Sequence, residues 1–146
     1  MSNSWTPGAV DALRQQHNLQ GTAANQPKIV DSGSLLTEGG RALLDFDGTN
    51  DDLTHTFSSA IPQPFSVSGV VTFKNTSNGN RWFQDSLFGN PTADIDSGSV
   101  RMFAGSGVSY GLATTNQSQH FLVFNGANSA GSLNGAVVSG DAGANT

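Results

Sequence analysis

The groups able to do chemistry in this 146-residue sequence are eleven acidic residues, three histidines and a few exposed-type aromatics; there is no cysteine. The densest acidic stretch is Asp45-Phe-Asp-Gly-Thr-Asn-Asp-Asp52. Carboxylates and carbonyls this close together suit calcium, and Asp47, Asp51 and Asp52 are the candidate ligands. The stretch is not an EF-hand. Counted from Asp45, the twelfth position is Thr56 rather than a bidentate Glu, and glycine comes too early. Asp, Asn and Gly are also the residues a tight turn selects for its backbone geometry. The turn reading is preferred, so no cofactor is expected, with calcium as the alternative.

The remaining candidates are weighed in the same way. Glycoside hydrolysis needs two carboxyl groups facing the scissile bond. Asp94 and Asp96 would share a strand face, but they fall in a polar stretch, 90–99, that reads as a loop and offers no third partner. Gly107-Val-Ser-Tyr-Gly111 matches G-x-S-x-G. A nucleophile elbow needs a helix behind it, and the following LATTNQSQ has no helical period. His17, His55 and His120 form no metal-binding spacing, and His120 reads as a packed or half-exposed strand residue. For sugar binding, Trp82 and Tyr110 could stack on a ring while Asp85 and Asn116 hydrogen-bond hydroxyls; Trp82, between apolar neighbours, defaults to core packing. Asn75-Thr-Ser77 and Asn116-Gln-Ser118 are formal glycosylation sequons. None of this makes an enzyme.

Composition points to the elements that must position these groups. The apolar share is 36%, charged residues make up 12%, and there are 18 glycines and nine phenylalanines. Many short strands joined by tight turns fit this mixture; helices do not, because Gly and β-branched residues disfavour them. The net charge is −5, and no two of the six basic residues are adjacent. Nucleic acid and anionic membranes are therefore poor partners. No apolar run approaches the ~20 residues of a membrane helix, and the polar opening MSNSW has no signal-peptide pattern. Residence in the producing cell, or release by another route such as lysis, is the expectation.

Residues 1–20 are expected to form an arm or short helix over TPGAVDALRQQHNL, capped by Thr6, with Val10 and Leu13 on its apolar stripe and Trp5 as an anchor. The domain proper is expected over 21–146. A strand is expected at Pro27–Asp31 and a loop at Ser32–Gly40. The organising pair spans Arg41–Phe73. In its first strand Ala42, Leu44 and Phe46 alternate with Arg41, Leu43, Asp45 and Asp47; in its second Phe65, Val67, Val71 and Phe73 oppose Ser66, Ser68 and Thr72. A short strand at Leu53–Phe57, a turn at Lys74–Asn80 and a strand at Arg81–Gly89 follow. Val100–Ala104 and Val108–Thr114 form a hairpin. Gln119–Asn125 is a strand, Gly126–Gly131 a turn, and Leu133–Ser139 a tight hairpin element at Asn134-Gly135. About nine short strands imply an all-β, antiparallel sandwich or jelly roll.

HNLQGTAANQPKIVDSG, LLDFDGTNDDL, PFSVSGVVTFKNTSNGNRWF and FNGANSAGSLNGAVVSGDAGAN, in that order over residues 17–145, resemble the concanavalin A-like lectin/glucanase superfamily. The branch resembled is the laminin-G-like modules of bacterial surface proteins and phage structural proteins. The resemblance implies a lectin-like jelly roll, with calcium bound in some members. The glucanase branch carries E-x-D-x-x-E along a strand, whereas this chain has one glutamate, Glu38. Relatives carry an early tryptophan-containing strand, shortened here, and continue past GDAGAN. The expectation is a sandwich lacking its last strands, either a truncated variant or a subunit whose open edge a neighbour covers by strand addition. The implied function is a non-enzymatic virion protein on a phage capsid or tail, held by other virion proteins and copies of itself, with weak adhesion to cell-surface glycans. The alternative is a carbohydrate-binding module, calcium-assisted, of a bacterial surface or secreted protein.

Overall fold

A computed structural model describes residues 22–54, 61–84 and 91–144. The expected N-terminal arm with Trp5, Val10 and Leu13 lies outside the described residues, as do His17, His55 and Asp85. The chain divides into two units, Met1–Ser58 and Ser59–Thr146.

In the first unit the described strands are short. β1 (Val30–Asp31) pairs with β2 (Ser34–Leu35) across Ser32-Gly33, and β3 (Thr37–Glu38) pairs with β4 (Arg41–Ala42) across Gly39-Gly40. Lys28 and Asp45 exchange both backbone hydrogen bonds, at 2.9 and 2.8 Å. None of residues 22–54 is buried; Ile29, Val30, Leu35 and Leu44 remain about half exposed.

The second unit is a β-sandwich. One sheet has the order β12-β11-β10-β5 and the other β6-β7-β8-β9, all neighbours antiparallel. The strands are β5 (Phe65–Val71), β6 (Arg81–Gln84), β7 (Thr92–Asp96), β8 (Ser99–Phe103), β9 (Gly107–Leu112), β10 (Ser118–Phe124), β11 (Ser129–Leu133) and β12 (Ala136–Gly140). Period-two alternation sets the register. Along β10, Ser118, His120, Leu122 and Phe124 are buried while Gln119 and Phe121 face solvent. The core adds Ile95, Val100, Met102, Val108 and Tyr110 from the opposing sheet. Phe65 stacks on Phe124 with ring centroids 5.0 Å apart. The hairpins β7–β8 and β11–β12 close through Ser97-Gly98 and Asn134-Gly135. Both residues of each turn have positive φ (50 and 77°, 50 and 87°), the twist that two-residue hairpin turns require.

The all-β antiparallel architecture therefore agrees with the reading of composition and pattern, and the hairpins at 100–114 and 133–139 form where expected. The organising pair does not. Only Arg41–Ala42 of its first member is strand, and it pairs with β3; Leu44 and Phe46 stay exposed. The Gly39-Gly40 turn captures Arg41 and Ala42 locally, and the Lys28–Asp45 bridge takes the chain next. β5 keeps its predicted alternation but pairs with all seven residues of β10. Of the predicted Leu53–Phe57 strand, the described part holds one bridge residue, Thr54. Ser32–Gly40 is two strand segments rather than loop. The stretch 92–96 is strand β7, because Ser97-Gly98 makes a hairpin of what looks like a polar loop. Gly126–Gly131 is a 3-10 turn, Gly126–Asn128, running directly into β11.

Candidate functional site

Two arrangements of polar side chains stand out in the sandwich. The first is internal. His120 projects from β10 into the core and is fully buried. The Ser118 hydroxyl donates to the Val71 carbonyl at 3.3 Å, so it accepts from His120 Nε2 at 2.9 Å. In the tautomer protonated at Nε2 that follows from this arrangement, Nδ1 accepts from the Tyr110 hydroxyl, 3.0 Å away on the opposite sheet. A directed chain of hydrogen bonds thus crosses the core from β9 to β10 to β5. The Phe73, Trp82 and Tyr110 rings surround the imidazole at centroid distances of 6.1, 5.4 and 5.8 Å.

Both cross-sheet rings sit at register irregularities. Between β6 and β7, Arg81 pairs with Asp94 and Phe83 with Ala93, so Trp82 is the extra residue. Between β8 and β9, Val100 pairs with Gly111 and Arg101 with Ser109, so Tyr110 is the extra residue. A bulge re-aims its unpaired side chain, and here the two bulges aim Trp82 and Tyr110 at His120. Glycines on the facing sheet admit them. A Cβ on Gly131 would lie 2.6 Å from Tyr110 Cγ, and one on Gly69 would lie 3.2 Å from Trp82 Cζ3.

Burial dominates the electrostatics here. It pushes the Tyr110 phenol up to about 12; the Trp82 N–H opposes the rise, and the Asp94 charge adds to it. Trp82 Nε1 faces the Tyr110 oxygen closely enough to favour the phenolate, yet makes no hydrogen bond of ordinary geometry. Burial lowers the proton affinity of His120. Serine, histidine and tyrosine are thus hydrogen-bonded in one chain, but with Ser118, His120 and Tyr110 each at 2% exposure or less, no substrate reaches them.

The second arrangement lies on the outer face of the β6-β7-β8-β9 sheet. Arg101 on β8 grips Asp94 through Nε and Nη2 (3.1 and 2.9 Å) and reaches Asp96 through Nη1 at 2.6 Å. Its guanidinium carbon stands 5.3 Å from the Phe103 ring centroid. Hydrogen bonding to Asp94 raises the Arg101 pKa further, against the cost of its partial burial. Asp94 and Asp96 do share a strand face, as the spacing implies, but on β7 and with Arg101 as the third member. Both Asp94 oxygens are occupied, which suits an ion cluster better than general acid–base work.

The residues singled out for ligand chemistry scatter. Tyr110 is 1% exposed, so its ring offers no face to a sugar, and Trp82, partly buried, packs inward on His120. Asn116 lies exposed in the β9–β10 turn, its N–H donating to Thr114 Oγ1. In the acidic turn, Asp47 Oδ1 accepts from the Thr49 and Asn50 N–H groups, Asp51 Oδ2 from the Asp47 N–H, and Asp52 Oδ2 from the Thr54 hydroxyl. These carboxylates shape their own loop, and among the described residues no three His, Asp or Glu side chains gather as a metal set. Ser109 is an exposed residue of β9.

Sequence reasoning missed the internal chain and the ion cluster. The first was readable from period-two alternation, which puts His120 in line with Leu122 and Phe124. The second was readable from a hairpin about Ser97-Gly98, which sets Asp94 opposite Arg101. Compared with known proteins, the chain matches no family model, no curated protein and no solved structure.

Proposed function

We propose that this chain is a non-enzymatic virion structural protein, exposed on a phage capsid or tail and assembled through contacts with other virion proteins and with copies of itself. The observation that supports this reading is the outer face of the β12-β11-β10-β5 sheet. Its four strands contain no Asp, Glu, Lys or Arg, in a chain of net charge −5. Val70, Phe121 and Val137 on that face are 65, 48 and 67% exposed. An apolar, uncharged face lets a second acidic molecule approach without like-charge repulsion, and contiguous exposed apolar surface marks an interaction site. Among the described residues β5 and β12 are the outermost strands of this sheet, and such edges invite strand addition.

Adhesion to cell-surface glycans is a secondary task for the same face. Phe121 pairs across the sheet with Ser68 on one side and Ser132 on the other, which sets a ring between two hydroxyls. Stacking and hydrogen bonding of this kind also support the alternative, a carbohydrate-binding module of a bacterial surface or secreted protein. Light scattering on the wild type and on Phe121→Lys separates the readings. A discrete oligomer that Phe121→Lys dissolves is the expected result. Two stable monomers overturn the assembly reading. Glycan-array binding by the wild-type monomer, lost in Phe121→Lys, transfers the function to the carbohydrate module.

A further inference from the structure

We infer that His120 is an acid-sensitive latch between the two sheets, closed while the imidazole is neutral and released when Nδ1 takes up a proton. The inference stands on the direction of the hydrogen bonds. Ser118 spends its hydroxyl proton on the Val71 carbonyl, so its oxygen takes the Nε2 proton of His120. The latch takes this Nε2–H tautomer as its premise: Nδ1 then accepts, with the Tyr110 O–H as its donor at 3.0 Å. A proton arriving at Nδ1 turns that acceptor into a donor. Two donors then face each other across the sandwich. The Tyr110 oxygen can swing to accept from Nδ1, but its own proton is left with no acceptor in the ring of Phe73, Trp82 and His120 around it. Trp82 Nε1, buried without a partner, carries a proton of its own and takes up none of that one.

Among the described residues the new positive charge finds no counter-charge. From β9 the facing titratable group is Tyr110. β6 presents Trp82, β5 presents Gly69 and Val71, β10 presents Ser118, and Phe73 closes the ring; none of these is charged at neutral pH. Asp94 lies on the other side of β7, and both its oxygens are held by Arg101. Attraction of an imidazolium to the surrounding rings offsets part of the charge burial, but desolvating an unpaired ion costs more than a cation–π contact returns. Burial lowers the His120 proton affinity in agreement with this geometry. The sign follows. Between the depressed folded-state pKa and the ordinary value of 6.5, the unfolded chain holds the proton and the folded one does not. Stability therefore falls as pH falls through that window, by up to about tenfold in the folding constant per pH unit.

The test is the urea midpoint of the full chain between pH 5 and 7.5, where most carboxylates stay ionised, compared with His120→Gln. Glutamine can accept from Tyr110 and donate to Ser118 without titrating in this range. The wild-type midpoint is expected to drop toward pH 5 and the variant midpoint to stay level or drop much less. His17 and His55 are common to both proteins and cancel. An equal pH dependence in the two proteins overturns the latch. Should the variant fail to fold, nitrogen NMR of wild-type His120 decides. An Nε2–H tautomer that charges only as the β10 amides lose exchange protection supports the latch. A ring that charges at pH 6 or above with those amides still protected overturns it.

Discussion

Gly131→Ala tests how the two sheets meet. Gly131 has an ordinary strand conformation, so backbone freedom is not what holds glycine there. Alanine at an unstrained strand position would by itself favour folding by about 0.5–1 kcal/mol. Contact decides the sign instead. The new methyl would stand 2.6, 2.7 and 2.9 Å from Tyr110 Cγ, Cβ and Cδ1. These atoms form the root of the ring, next to the β9 backbone, and they cannot swing aside as a side-chain tip can. Relief needs either separation of the sheets or loss of the Tyr110–His120 hydrogen bond. Overpacking of this kind costs roughly 1–3 kcal/mol, and the rigid neighbour puts it near the top of that range. The net loss is about 2 kcal/mol, which lowers the melting temperature of a domain this size by about 4–8 °C. Gly69→Ala is the internal control, since the tightest contact of its methyl is the outer edge of the Trp82 ring at 3.2 Å and a shift of a few tenths of an ångström relieves it. Thermal unfolding followed by Trp82 fluorescence, in a Trp5→Phe background, reads both variants. A Gly131→Ala protein as stable as its parent, or one less harmed than Gly69→Ala, would refute the close-approach account.

Arg101→Ala should destabilise the sandwich by about 1–3 kcal/mol, because it removes both guanidinium hydrogen bonds from the Asp94 carboxylate, 6% exposed. The figure sits below that of a fully buried pair since Arg101 keeps partial contact with water. Asp96→Ala should cost under about 1 kcal/mol, its carboxylate being 42% exposed; urea unfolding that ranks the two variants the other way would refute the assignment. The single tyrosine allows a clean titration: absorbance at the phenolate band should stay low in the folded protein at pH 10–11 and rise toward about 12. The unfolded chain ionises near 10 while the folded one holds its proton, so stability should decline as pH rises through that window. A phenolate appearing at pH 10 in a protein that remains folded would place Tyr110 outside the core.

The sequence by itself determined the material of this fold. Glycine-rich turns and alternating apolar residues are local signals, and period two is enforced by the geometry of any strand, so β5, the 100–114 hairpin, β10 and the Asn134-Gly135 turn were legible. The choice of partners was not. Arg41–Phe46 alternates nearly as well as Phe65–Val71, but alternation says nothing about which strand lies alongside, and local closure at Gly39-Gly40 competed successfully for Arg41 and Ala42. Asp94 and Asp96 looked like loop residues because polar side chains on a strand's outer face resemble a turn until the partner, Arg101, is in place. The function of Trp82 and Tyr110 was decided only in three dimensions. A bulge depends on the register of two strands, and a ring's acceptance into the core depends on a glycine in the facing sheet. His120 carries the same lesson. Its place on the buried face follows from alternation, but its tautomer and its link to Tyr110 exist only because two sheets, distant in pairing order, bring a donor and an acceptor to 3.0 Å.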